Sequence, residues 1–354
     1  MDPVSGSDTN PGTANQPFLT VKHALTTDIV RAAANTIGSG TGGGTDVTVT
    51  IVGAATQNVS VPISTPNLTR GSVTVVGPSG FNLKLNGNLL TLDKGYRLKG
   101  FKITSGDPGG PMTRTAAIKL AGVGTSLENM KIDCKDLGTA GGDFTNNLGD
   151  RCIEVTAPTG GTILLQGLEV EIRGNQDQNY TAGIVHNGSD TTLRVVGSTI
   201  RSTGRGGIGV VGVLGLGGAP GALVGPVIVQ SSTVDLESID SGTDTEPNIA
   251  ILLNVGDSEV LGPSSKIKLN GDAGNQLGAI GIKASNSSGT VTVDGTTFST
   301  ETNGVGIGIN KEGAGSLSLV NNNFPPFSGS CGPTNPCLQC KFYDSSSNPP
   351  SCRF

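Results

Sequence analysis

Carboxylates and guanidinium groups must carry most of the chemistry open to this chain, because its 354 residues hold two histidines and no tryptophan. Asp133, Asp136, Asp143 and Asp150 fall in or beside one segment, with Glu171, Arg173 and Arg201 further along. Two carboxylates held ~5 to 10 Å apart can serve as general acid and base at a glycosidic bond, and an arginine among them can bind a uronate. The candidate catalytic set is therefore Asp133, Asp136, Asp150, Glu171, Arg173 and Arg201. The plainer alternative is solvent-exposed cross-strand ion pairs, worth about a few tenths of a kcal/mol each. Asp136, Asp143 and Asp150 could also offer oxygens to calcium, although no EF-hand spacing is present and a solvated acidic loop fits the same residues. No other cofactor is expected.

Other chemistries lack material. His23 and His186 cannot supply a histidine-rich metal site, and a Ser-His-Asp triad is nearly excluded. His23 falls toward the polar side of a helical stretch and reads as a surface residue. The glycine clusters at Gly38 to Gly44 and Gly215 to Gly221 lack the Lys-Ser/Thr of a phosphate loop. The stretch from Val210 to Val227 is unusually apolar, which suits packing on a wall or contact with a partner.

Six cysteines suggest an oxidising compartment. Cys134 and Cys152 bracket the acidic segment, so a disulfide there would staple its base and contribute about 3 kcal/mol by loop-closure arithmetic. Cys331, Cys337, Cys340 and Cys352 permit three pairings or a zinc site. Only Cys337-x-x-Cys340 has knuckle spacing, so two disulfides closing a small C-terminal cap are the expectation.

The elements that position these groups follow from a repeat. A six-residue pattern of apolar, any, small turn-former, any, any, apolar recurs at Leu98 to Ile103, Leu127 to Ile132, Leu165 to Val170 and Val195 to Ile200. It continues at Val229 to Val234, Val293 to Phe298 and Leu319 to Phe324, and is loosened around Ile267 by Gly262-Pro263. A second series, Ile118, Ile153, Ile184, Ile208, Ile251, Ile282 and Ile309, keeps the same average step of about 32 residues. Two ladders with one period define a solenoid. Its segments are short, alternating and rich in Val, Ile and Thr, which makes the unit β and excludes helical repeats. Gly or Asn at the interior position suits a left-handed corner. A rung of two or three strands and corner turns follows, each stacking at about 4.8 Å on the last.

This architecture predicts an N-terminal segment and capping helix over residues 1–46, a parallel β-helix over 47–327 and the cysteine-rich cap over 328–354. Residues 18–33 supply the helix, with Phe18, Val21, Leu25, Ile29 and Ala32 on one face, as a lid over the first coil's open edge. Insertions at Cys134 to Asp150, Arg173 to Thr181, Arg201 to Arg205, Glu237 to Pro247 and Asn270 to Leu277 should project from one face, the candidate functional surface. Beside each inward apolar residue, an outward column of Asp133, Glu171, Arg201, Asp235, Lys268 and Ser299 should stack. Lys135, Arg173, Thr203, Glu237 and Asn270 should form another two positions further on.

Composition narrows the partners. The net charge of −5 without a basic block argues against nucleic acid, and no apolar run approaches the ~18 residues of a membrane span. Aromatic residues at 3% leave little for sugar stacking. No charged-then-apolar leader follows Met1, and we expect a signal peptide to have been removed.

The opening Gly6-Ser7-Asp8-Thr9-Asn10-Pro11-Gly12-Thr13, then Pro17-Phe18-x-Thr20 and Ala24-Leu25, resembles the start of bacterial secreted right-handed parallel β-helix proteins of the pectate-lyase-like superfold. The motif covers about 30 residues, and beyond it the resemblance is one of rung pattern. It implies handedness, the capping helix and an extracellular or cell-surface setting, in a group much of which has no assigned activity. Polygalacturonase-type hydrolases on this fold carry Asn-Thr-Asp, Asp-Asp, Gly-His-Gly and Arg-Ile-Lys, and this sequence contains none of them. Val185-His186-Asn187 lacks the flanking glycines. The expectation is a binding or structural module directed at polysaccharide or the cell envelope. The alternatives are a polysaccharide lyase or glycoside hydrolase using the insertion face, and an architectural envelope or appendage component. Oligomeric state is open.

Overall fold

The computed structural model describes residues 1–36, 44–105, 116–137, 151–157, 160–174, 181–187, 190–205, 210–215, 225–239, 248–270, 279–286, 288–300, 306–324, 339–344 and 351–353. They form an all-β parallel solenoid. Among them the strands fall into three sheets of ten, nine and eleven, and up to Ser316–Val320 strands paired in a sheet are three apart in chain order. The first sheet runs from Asp46–Thr50 to Ser316–Val320, the second from Thr56–Asn58 to Thr297–Thr300. The third starts at Ile63–Ser64 and reaches Gln339–Asp344, which lies parallel to Gly306–Lys311, before Ser351–Arg353 turns back antiparallel.

The apolar ladders define the core. Ile103, Ile132, Val170, Ile200, Val234, Ile267 and Phe298 pair in that order along the second sheet. Phe324 stacks on Phe298 with ring centroids 4.6 Å apart. Along the third sheet, Ile118, Ile153, Ile184, Val213, Ile251, Ile282 and Ile309 do the same, and the six isoleucines belong to the buried core. Val213, not Ile208, holds the fourth place in this column. Thr199–Arg205 continues as a strand through the residues expected to form an insertion, so the chain reaches the third sheet five residues later. Ile208 itself lies outside the described residues.

The corner positions explain the small turn-formers. Asn129, Ser231 and Asn321 have φ of 51°, 49° and 52°, matching the glycines at 100, 167, 197 and 295. Side chains other than Asn rarely enter that region cheaply, and Ser231 shows that the corner tolerates the cost. After the corner the chain turns inward onto Phe101, Met130, Leu168, Ser198 and Ser232, all buried. Where the inward residue is serine it hydrogen-bonds between rungs: Leu168 N–H donates to Ser198 Oγ and Ser198 N–H to Ser232 Oγ, each at 3.1 Å. Ser198 and Ser232 thereby have their polar groups paired inside the core.

The lid is two helices, α1 (Val21–Thr26) and α2 (Asp28–Asn35), instead of one. Thr27 breaks them by taking extended geometry and capping α2, its hydroxyl accepting from Ile29 N–H. The break rotates the second helix, so Val21, Ala24, Leu25, Val30 and Ala34 are buried while Ile29 and Ala32 are exposed. Asp8 anchors the entry, accepting from the backbone of Leu19 and Thr20 and from the Thr20 hydroxyl.

Candidate functional site

The outward side of the second sheet carries two charged columns. Lys102, Lys131, Glu169, Thr199, Thr233, Lys266 and Thr297 stack in one. Thr104, Asp133, Glu171, Arg201, Asp235, Lys268 and Ser299 stack in the other, in the order expected from sequence. The first column went unremarked in the sequence, although the residue before each inward apolar position recurs with the same period.

Cross-rung ion pairs lace these columns. Lys131 Nζ lies 2.7 Å from Glu169 on the facing rung, and that hydrogen bond holds the lysine above its ordinary range. Lys102 reaches diagonally to Asp133 at 3.5 Å. Asp235 sits between Arg201 at 3.5 Å and Lys268 at 3.8 Å, one rung to each side. The Lys131–Glu169 pair is solvent-exposed, as expected, but the pairs at Asp133 and Asp235 are not, since Asp133 is 4% exposed and Asp235 7%. Long cationic side chains lie beside both carboxylates, and their apolar stems can shield an acid on a sheet surface.

Two shallow depressions lie on this face. One of about 350 Å³ is lined by Gly100, Phe101, Lys102, Asn129, Lys131 and Glu169 among others. Its neighbour, about 420 Å³, is lined by Glu169, Glu171, Gly197, Thr199 and Arg201. Gly167 and Glu169 border both, so the two form one trough crossing successive rungs. Glycine at the corner keeps its floor open: a Cβ at Gly197 would meet nothing within 4 Å.

The other candidates divide. Asp133, Glu171 and Arg201 share the column, and the backbone of Arg173 pairs with Lys135 and Thr203, as expected for the further column. Asp136 belongs to Lys131–Leu137, but its side chain and that of Arg173 lie outside the described residues. Asp143 and Asp150 lie outside them altogether, as does most of the insertion face. The calcium reading therefore rests on sequence alone. Among the described residues no cluster of three or more His, Cys, Asp or Glu could hold a metal ion.

Cys134 and Cys152 form a disulfide with Cα atoms 5.6 Å apart, stapling the middle of the second-sheet strand Lys131–Leu137 to the start of the third-sheet strand Arg151–Val155. Cys331 and Cys337 lie outside the described residues. Cys340 and Cys352 sit in Gln339–Asp344 and Ser351–Arg353, with side chains outside the description. Beside the disulfide, Arg151 pairs with Glu154, both largely buried, a contact that no sequence spacing singled out. His23 packs edge-on against Phe18 at 4.9 Å. His186 is fully buried, and its Nε2 lies 2.7 Å from the Thr191 carbonyl oxygen. Burial lowers its pKa, outweighing backbone hydrogen bonds that raise it.

No family model matches the chain, and no curated protein does. A solved structure of the pectin methylesterase from Aspergillus niger aligns over 92% of each chain at 10% identity, with a TM-score of 0.29. At that level no residue of one maps onto a residue of the other. Among the described residues no helix is long and apolar enough to cross a membrane.

Proposed function

We propose that this solenoid is an extracellular binding module that holds an extended acidic polysaccharide in the second-sheet trough without cleaving it. The trough itself carries the reading: a continuous open channel across rungs, lined by polar and charged side chains that repeat at the rung spacing. Lys102, Lys131 and Arg201 would meet sugar carboxylates by exchanging their present partners for the ligand's. A general acid needs a carboxyl group free to carry and deliver a proton, whereas Asp133, Glu169 and Asp235 each sit against a cation. The Cys134–Cys152 disulfide supports an oxidising compartment.

Isothermal titration of the protein with polygalacturonate, alongside an assay for new reducing or unsaturated ends, tests this reading. Binding without release is expected, weakened about fivefold or more in Lys131→Ala/Arg201→Ala, a loss of about 1 kcal/mol. Release of ends that Asp133→Asn abolishes would replace the module with an enzyme.

A further inference from the structure

We propose that the third sheet carries a self-cross-linking site, at which the Lys283 amine displaces ammonia from the Asn310 carboxamide and leaves an isopeptide bond between adjacent rungs. The two residues face each other on Ala279–Ala284 and Gly306–Lys311, in the column that also holds Lys119, Glu154, Val185 and Leu252. One carboxylate joins their side chains. Glu312 Oε2 lies 2.9 Å from Lys283 Nζ, and Glu312 Oε1 accepts from Asn310 Nδ2 at 3.0 Å. The Ser285 hydroxyl also donates to Oε2, at 3.5 Å. Amine, acid and amide thus stand in one hydrogen-bonded row, with the acid at the distance a general base needs.

The amide separates this cluster from the ion pairs of the second sheet. Asn310 is 5% exposed, and its Oδ1 is buried without a hydrogen-bond partner among the described residues. An unpaired buried carbonyl is costly, so its retention calls for a reason. The reaction supplies one. Glu312 takes a proton from the Lys283 ammonium, which frees the nitrogen lone pair for attack on Asn310 Cγ. Half a turn of the amide then brings Oδ1 onto the protonated Glu312, which polarises the carbonyl. The Nζ–Cγ bond forms and the Cγ–Nδ2 bond breaks. Glu312 returns its proton to the departing nitrogen, and the surplus proton of the new amide leaves with the ammonia as ammonium. Facing positions on neighbouring strands make the attack intramolecular, and burial of Asn310 keeps water from competing for Cγ. Leu252, buried on the rung before Lys283, closes the other side.

Mass spectrometry of the unaltered protein, after incubation in its folded state and then reduction and denaturation, tests the link. The chain should weigh about 17 Da less than its sequence, the mass of one ammonia. Trypsin should leave the bond after Lys283 uncut, and fragmentation should place the loss across Lys283 and Asn310. Lys283→Arg, which keeps the ion pair, and Asn310→Ala should both show their full mass. Glu312→Gln, with both reacting groups in place, should cross-link about a hundredfold more slowly or worse. The measurement on the unaltered chain decides the matter, so a folding defect in a variant cannot. Full mass there would overturn the proposal. A 17 Da loss with Lys283 still cut would also overturn it, marking cyclisation at an Asn-Gly step such as Asn86-Gly87 instead. Undiminished linking in Glu312→Gln would overturn the role given to the carboxylate.

Discussion

Ile132 and Asp133 are chain neighbours on one strand, yet they belong to regions under different rules. The inward column of Ile103, Ile132, Val170, Ile200, Val234 and Ile267 has one requirement, an apolar side chain that fills a rung and touches those above and below. The outward column beside it mixes Thr104, Asp133, Glu171, Arg201, Asp235 and Lys268, and is organised by pairing between rungs. Stability concentrates in the first region and specificity in the second, so changes on adjacent residues should differ several-fold in cost.

The largest effect should come from opening the inner column. Ile132→Ala should cost about 2 to 5 kcal/mol in chemical denaturation, through lost burial and a cavity that neighbouring rungs cannot close. A cost below 1 kcal/mol would mean the column is not close-packed. Next comes the staple at the junction of the two sheets, where Cys134→Ser with Cys152→Ser should remove about 3 kcal/mol. Because both sulfurs are buried, mild reductant should leave the native bond intact and break it only when denaturant is added. Reduction in native buffer would show that the junction opens.

Acid should find a weak point inside the core. His186 stacks between Val155 and Gly215 and meets only backbone polar groups among the described residues. Its folded pKa lies below the ordinary value, so the unfolded chain binds the proton more readily. The stability His186 confers as a neutral ring is therefore present above about pH 6.5 and is lost as pH falls below it. Thermal melts across pH 7.5 to 5 should show that loss, and His186→Gln should flatten it. An equally steep slope in the variant would place the titration elsewhere. Smallest of all, Lys131→Ala should change stability by about 0.2 to 1 kcal/mol, since both partners of its exposed pair remain solvated. Its cost should shrink further in high salt.

That gradient also explains what could be read from sequence. The inner column, the corner residues and the period were legible because burial and positive φ each admit few residue types, at Ile184 as at Asn129. The shift from Ile208 to Val213 was hidden, because a strand extended by Ser202, Thr203 and Gly204 carries no apolar signal that separates it from a loop. The order of the outward residues was legible once the period was known. Their burial was not, since whether Lys102 lies over Asp133 depends on a diagonal contact between rungs and not on spacing. The break at Thr27 was marked only by a Thr-Thr-Asp run, a capping signal inside an apparently continuous amphipathic stretch.

Stacking of rungs underlies both columns, and a cross-linking pair tests it most directly. Glu169 and Thr199 face each other on adjacent rungs, whereas Glu169 and Thr233 are two rungs apart, about 9.6 Å at the usual strand spacing. In a background where the native cysteines are blocked, Glu169→Cys with Thr199→Cys should oxidise to an intramolecular disulfide, and Glu169→Cys with Thr233→Cys should not. Ready closure of the distant pair, or failure of the adjacent one in a folded protein, would contradict the stacked register on which the core and the trough both depend.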